Sequence, residues 1–533
     1  MATLADELLA QLGFASFRPG QREAVEAALA GRDSLIVMPT GGGKSLCYQL
    51  PGLASEDLTI VVSPLIALMN DQWRRLTGAG HPVAMVTSAM PAEAVREALA
   101  QVRGGEARIV YCSPERFASN VFLEAIGQRR IDLLAVDEAH CVSEWGHDFR
   151  PDYLRLPEVA ERLGRPTVMA CTATATEAVA REIAARFQMR EPLQVRSGFD
   201  RPSISFDVVR LEGKGSKARR LALLEAGLAD PANRPAIVYC GTRKDTDENF
   251  ATLRDGGLRA VPYHAGMEPH HRAEAQRRFM AGEADVVVAT NAFGMGVDKA
   301  DVRSVWHMAI PTSLEAYYQE AGRAGRDGLP ARAVLLAMKA DLGRLVRFNE
   351  QRAGDPELAI ARERGWRDYR TIKEFIYSER CRRRSVLDHF SDSTAGAPLE
   401  RCCDVCDPQG WLPDPETVAV RAKPSAKQTA APPADLSPAD AALFEQLKAW
   451  RLRAADGKPA FTIAHNSTLE RIAATRPASE EALLAIKGIG PNFVTKYAAE
   501  VLALVAGDAP PDAGGDDDLD VVATEVGQGD LFG

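Results

Sequence analysis

Along the first two hundred residues, short apolar runs alternate with longer stretches in which apolar positions recur at helical spacing. The runs are SLIVM (34–38), TIVVS (59–63), RIVY (108–111), LLAVD (133–137) and TVMAC (167–171). The same alternation restarts at AIVYC (236–240), RAVPY (259–263), DVVVAT (285–290), SVWHM (304–308) and AVLLA (333–337). Continuous apolar strands interleaved with helices predict parallel sheets covered on both faces. Two such arrays in series predict an α/β protein of two tandem, similar lobes, residues 1–197 and 198–339, with a cleft between them. From 340 to 410 the pattern turns helical and basic and ends in a cysteine cluster. Residues 411–434 are rich in Pro, Ala and Lys without a period and read as a flexible linker. A small all-helical block is expected at 435–506, and a disordered acidic tail at 507–533.

Length and charge add limits. A chain of 533 residues exceeds one core, and its 46% apolar and 26% charged content is that of a globular protein. No run of eighteen apolar residues is present, and MATLADELLAQLGF at the start carries acids without a basic cluster. This reads as an amphipathic helix rather than a secretory signal, so a cytoplasmic protein with no membrane attachment is expected. The net charge of −9 is misleading, because eight acids and no Lys or Arg lie from Gly507 onward. Without that tail the charge is −9 + 8 = −1, which leaves room for local basic surfaces. Five cysteines, Cys47, Cys112, Cys141, Cys171 and Cys240, sit in or beside apolar runs and read as small buried hydrophobes.

Chemistry concentrates at the ends of the runs. MPTGGGKS (38–45) follows one strand and precedes a helical pattern. Backbone N–H groups of Thr40, Gly41, Gly42 and Gly43 can cradle phosphates, with Lys44 on the β and γ phosphates and Ser45 on Mg²⁺. Met38 stands where the strict phosphate-loop pattern has its first glycine. Asp137 and Glu138 close a neighbouring strand, where one carboxylate can hold Mg²⁺ and the other position an attacking water. In the second lobe YYQEAGRAGRDG (317–328) offers Arg323 and Arg326 to a γ-phosphate across the cleft. Behind the carboxylates, WGHDFR (145–150) mixes aromatic and basic residues; Trp145 and Phe149 can stack on bases while His147 and Arg150 meet backbone charge.

The ordered set FRPGQREA (17–24), MPTGGGKS, VSPLIALMNDQ (62–72), CSPERF (112–117), DEAHCVSEWGHDFRPDY (137–153), ACTATAT (170–176), FDRPS (199–203), YHAGM (263–267), ATNAFGMGVDK (289–299) and YYQEAGRAGRDG resembles the RecQ family of superfamily 2 DNA helicases. The resemblance spans roughly residues 5–340, and superfamily 2 phosphate loops typically lack a glycine at the position of Met38. It implies two RecA-like lobes and an ATP- and Mg²⁺-dependent helicase moving 3′ to 5′, in DNA repair, recombination or replication. It also assigns Arg18 and Gln21 to the adenine, Arg326 to an arginine finger with Arg323 and Gln319 beside it, the TAT of 172–174 to coupling between lobes, and WGHDFR to sensing single-stranded DNA. If the source is bacterial, the protein would associate with the nucleoid.

Further along, the family has a four-cysteine zinc site after the second lobe. Here Cys403 and Cys406 have zinc spacing, Cys381 falls at the first ligand's place, and Cys402 adjoins Cys403. The fourth ligand is Cys402, or alternatively Glu400 or His389. RecQ proteins commonly follow this site with a winged helix, yet only a linker of about twenty-five residues intervenes before the next block. That block resembles the HRDC domain, with KGIGPNFVTKY (487–497) placing Lys487 and Lys496 near a turn suited to phosphate. The terminal GQGDLFG, with Asp530, Leu531 and Phe532, resembles peptides that dock in bacterial sliding clamps. The expected partners are single-stranded and tailed or branched DNA. Competing expectations are a DNA-stimulated translocase that remodels protein–DNA complexes without unwinding, a recruiting scaffold, and an RNA helicase.

Overall fold

The computed structural model describes residues 3–39, 41–143, 150–196, 198–294, 299–351, 358–393, 396–420, 437–455, 463–464, 466–484, 486, 489 and 491–507. Two units partition it, residues 1–420 and 421–533.

The first unit carries both sheets. Strands β1 (Ser34–Val37), β2 (Leu58–Val62), β3 (Val83–Val86), β4 (Ile109–Cys112), β5 (Ile131–Val136), β6 (Thr167–Thr172) and β7 (Leu193–Arg196) form one sheet in the order β3-β4-β2-β5-β6-β1-β7. Strands β8 (Ile204–Leu211), β9 (Ala236–Tyr239), β10 (Ala260–Tyr263), β11 (Val286–Ala289), β12 (Ser304–His307) and β13 (Ala331–Met338) form the second, in the order β10-β11-β9-β12-β13-β8. Every pairing is parallel, as the uninterrupted apolar runs require. Alternate residues feed opposite faces: Leu35 and Val37 join one core cluster and Ile36 another. The first of these clusters runs on through Phe199, Phe206, Tyr317, Phe375 and Phe390, so the lobes and the helices after them share apolar packing.

Three strands carry weaker signals than the ten recognised runs. VAMV of β3 is only four residues long, and LQVR of β7 is half polar. In β8 the polar residues Ser205 and Asp207 are themselves buried, because Asp207 accepts from Arg401 Nε at 3.0 Å and Trp411 Nε1 at 3.1 Å.

After β13 the helices Lys339–Glu350, Ala359–Tyr377 and Arg382–His389 follow. The linker expected from 411 starts later. Residues 411–420 lie on the second lobe, with Trp411 edge-on to Trp306 at 5.7 Å, under the Arg332 guanidinium at 4.3 Å, and Leu412 and Val418 against the core. Residues 421–436 lie outside the described residues. The second unit contains helices Pro438–Ala454, Asn466–Thr475, Glu480–Leu484 and Pro491–Ala506 around Leu447, Trp450, Leu469 and Val501. Among the described residues no helix is long and apolar enough to cross a membrane.

Candidate nucleotide and metal sites

Parallel strands deliver their functional loops to one edge, at their carboxyl ends. From β1 the chain turns through Gly41 and Gly43, both left-handed at φ +83° and +82°, into the helix Lys44–Ala54. At Gly43 the restriction is double, since a Cβ would also strike the amide nitrogen of Gln21. Arg18 and Gln21, expected at the base, here face the phosphate loop. Gln21 Nε2 donates to the carbonyls of Gly42 at 3.3 Å and Gly43 at 3.0 Å, and Arg18 donates to that of Gly41. Lys44 Nζ donates to Met38 O at 3.2 Å.

Asp137 and Glu138 follow β5. Asp137 is buried, with Ser63 Oγ donating to its carboxylate at 3.4 Å and Tyr153 OH to its carbonyl at 3.0 Å. Burial, and secondarily the neighbouring Glu138 charge, push its acid up to about 7 against the opposing pull of Lys44. Glu138 sits at φ 49°, a left-handed conformation that costs a non-glycine residue about 1–3 kcal/mol and concentrates at functional sites. His140 joins this loop to the end of β6, its Nδ1 lying 2.9 Å from Thr172 Oγ1 and 3.3 Å from Glu138 Oε2. Thr172 Oγ1 also accepts from Thr174 N at 3.2 Å, so the carboxylate loop and the TAT segment are in direct contact.

The second lobe closes the other side. Gln319, Arg323 and Arg326 line the same cleft as Arg18, Lys44, Ser45, Asp137 and Glu138, a space of about 440 Å³. The Arg326 Cγ lies 3.7 Å from where a Cβ of Gly41 would stand, placing this arginine over the phosphate loop. Arg323 is buried and packs on the backbone of Gly294. Its charge faces Tyr239, whose hydroxyl donates to Phe293 O at 2.8 Å; burial pushes that phenol up to about 12 and Arg323 pulls the other way. Tyr239 and His140 were not singled out in the sequence, although each stands where an apolar run meets a polar segment. A cation fits this edge chemically: a buried carboxylate with one hydroxyl donor faces the same space as Ser45.

The four cysteines converge. Their sulfurs all lie within 4.8 Å of one another, with Cys381 to Cys402 at 3.6 Å and Cys381 to Cys403 at 4.0 Å. A tetrahedral zinc with bonds of about 2.3 Å separates its sulfurs by about 3.8 Å. For Cys381, burial raises the thiol but the Arg384 N–H and the three neighbouring thiols outweigh it, and the net shift is downward. Burial, and then the other thiols, push Cys406 up to about 12 and Cys402 higher still. Such crowding is relieved when a cation takes the sulfurs as thiolates. The two alternative ligands stand apart: Glu400 is exposed and His389 Nε2 is 2.7 Å from Glu315 Oε1.

Arg150 is half-buried and Lys496 is exposed on the last helix. Thr40, Trp145, His147, Phe149, Lys487 and the terminal peptide with Asp530, Leu531 and Phe532 lie outside the described residues.

Residues 18–183 match the DEAD/DEAH box helicase family, residues 205–328 the helicase conserved C-terminal domain and residues 440–505 the HRDC domain. The chain is 38% identical over 404 residues to the ATP-dependent DNA helicase RecQ of Pasteurella multocida, covering 76% of this chain and 62% of that protein. It is 39% identical over 342 residues to the probable ATP-dependent DNA helicase RecS of Bacillus subtilis, covering 64% of this chain and 68% of the relative. The chain belongs to the RecQ helicase family. It spans somewhat under two thirds of the length of the RecQ proteins of Pasteurella multocida, Haemophilus influenzae and Bacillus subtilis that it matches. Among solved structures, the DEAD-box helicase Mss116 shares the fold at TM-score 0.54 and 19% identity, over 66% of this chain and 76% of that one. The RecQ match and the helicase folds account for the paired sheets; the cysteine cluster and the HRDC segment complete the expected architecture.

Proposed function

We propose that this protein is a RecQ-type DNA helicase that hydrolyses ATP to move 3′ to 5′ along single-stranded DNA, parting tailed or branched duplexes in repair or recombination. The observation that carries this reading is the shared cleft, in which Lys44, Asp137 and Glu138 from one lobe oppose Gln319, Arg323 and Arg326 from the other. A site built half on each lobe is complete only when the lobes approach, so nucleotide binding favours closure and product release favours opening. Lys44 and the loop amides hold the phosphates, Glu138 orients the attacking water and takes its proton, and Arg326 meets charge developing on the γ-phosphate. Ser45 and Asp137 would hold Mg²⁺, which supplies neutralisation of the phosphate oxygens when bound.

Arg18 and Gln21 would release the loop carbonyls to meet the adenine. The cysteines Cys381, Cys402, Cys403 and Cys406 would hold structural zinc. WGHDFR and the segment with Lys487 and Lys496 would contact DNA, and the terminal QGDLF would dock on a sliding clamp. Such a protein would work in the cytoplasm, on the nucleoid if bacterial.

A second reading rests on the short passage from Cys406 to Ser437, about thirty residues of which the first part is docked on the second lobe. It makes the protein a translocase that clears proteins from DNA without separating strands. Strand separation on duplexes with 3′ or 5′ tails, run beside DNA-stimulated ATP hydrolysis and a Lys44→Ala control, decides between them. Unwinding of the 3′-tailed duplex, lost in the control, is expected. ATP hydrolysis with neither duplex unwound would leave the translocase reading.

A further inference from the structure

Between the lobes the chain runs through FDRPS, residues 199–203, and each of its first three residues is held by a different neighbour. The Phe199 ring lies flat on Phe390 with centroids 4.3 Å apart, its N–H donates to Asp392 Oδ2 at 2.6 Å, and its carbonyl accepts from Tyr318 OH at 2.7 Å. Asp200 receives both Nε and Nη2 of Arg383 at 2.6 Å, a fork-on-fork pair only 5% and 11% exposed, and also accepts from Gly396 N. Arg201 turns the other way. Its Nη1 donates to Gly322 O at 3.0 Å, and its Nη2 to Ala324 O at 2.9 Å and Gly325 O at 3.4 Å.

Those three carbonyls belong to the loop that carries Arg323 and Arg326. We infer that Arg201 is a positioning residue for these two arginines: its planar fork gathers the loop's carbonyls and fixes where both guanidiniums stand in the cleft. Asp200, locked to Arg383 in the turn after Cys381, holds the base of the splint. The inter-lobe segment thereby ties the helix that Cys381 caps to the nucleotide cleft, through the Asp200–Arg383 pair on one side and the hydrogen bonds of Arg201 on the other. Charge-assisted hydrogen bonds are roughly twice as strong as neutral ones, and a lysine, whose donors all radiate from one nitrogen, does not reproduce the spread of a guanidinium fork.

This inference rests on the reading that Arg326 acts on the nucleotide, and the two can fail separately. The experiment measures DNA-stimulated ATP hydrolysis and affinity for a fluorescent non-hydrolysable ATP analogue for Arg201→Met, Arg326→Ala and the double variant. Misplacing a catalytic group by about 1 Å costs about 100-fold in rate. Arg201→Met should therefore lose about 100-fold in kcat with little change in KM or analogue affinity, and should lose much less than that in the Arg326→Ala background, where only Arg323 is left to position. Losses that multiply in the double variant, or an unchanged kcat in Arg201→Met, would overturn the inference while leaving the cleft reading intact. Full ATP hydrolysis by Arg326→Ala would overturn the cleft reading itself. Should Arg201→Met fail to fold, as judged by circular dichroism, Arg201→Lys and Asp200→Asn carry the same comparison, with smaller kcat losses expected and the same reduced effect beside Arg326→Ala.

Discussion

Asp368 gives the protein a pH-dependent weakness that one atom exchange should remove. It lies on the helix Ala359–Tyr377, 8% exposed, with Arg367 donating from Nε at 3.2 Å and Nη2 at 3.1 Å. Burial, and next the Glu315 charge, push its acid from an ordinary 3.8 up to about 6, against Arg367 and Arg364; Glu315 is itself engaged by His389 at 2.7 Å. Because the folded protein binds this proton more tightly than the unfolded chain, stability is highest below the unfolded value and falls as pH rises through the folded one. Two pH units at 1.36 kcal/mol each make the penalty about 3 kcal/mol, complete above about pH 7. Asp368→Asn keeps an acceptor for Arg367 and removes the charge. The variant should melt a few degrees above the parent at about pH 7.5, with the difference closing toward about pH 4.5. Thermal melts across that range read this directly. Equal melting temperatures at the upper end, or an offset that does not vary with pH, would refute the reasoning.

Glu138→Gln should lower DNA-stimulated ATP hydrolysis by about 10²–10⁴-fold while nucleotide affinity stays near the parent's, as expected for loss of a base. Metal analysis of the purified chain should find one zinc per molecule, reduced by Cys402→Ser and unchanged by Glu400→Ala or His389→Ala; retention in the first variant would dismiss Cys402 as a ligand. At Gly227 a Cβ would stand 2.6 Å from Trp306 Cζ2, in a ring that is fully buried. Gly227→Ala should cost about 1–3 kcal/mol through overpacking, visible as a lower melting temperature with ATP hydrolysis per folded molecule preserved.

The parallel sheets were legible because their strands are buried on both faces and so read as unbroken apolar runs. Lys44, Asp137 and Glu138 were legible because chemistry in such sheets sits where those runs stop. Strand β8 is buried too, but its polar residues break the run. Asp207 looks like a surface residue until Arg401 and Trp411, supplied from about two hundred positions away, make its burial tolerable. Arg201 was hidden for a similar reason: what it does depends on three carbonyls more than 120 residues ahead, and backbone acceptors leave no mark in a sequence. Arg18 and Gln21 were expected at the adenine, but their partners in this structure are loop carbonyls, which side-chain identity alone does not distinguish from a base. The adjacent cysteines, awkward on paper, converge because Cys402 and Cys403 lie beside β8, where Phe206 N donates to Cys402 O at 3.1 Å.

That attachment bears on how the protein is made. Strand β8 leaves the ribosome early, yet its inner neighbour β13 begins only at Ala331, and the salt-bridge partner of Asp207 arrives 194 residues after it. Until then the nascent second lobe carries an open strand edge and an acid destined for burial without its hydrogen-bonded salt-bridge partner, the conditions under which chains associate wrongly. A fragment ending near residue 340 would hold β1 to β13 and be trapped in that state permanently. The unit that holds the second lobe ends at residue 420, about eighty residues beyond β13, and dissection of the chain into separately folding pieces should cut there.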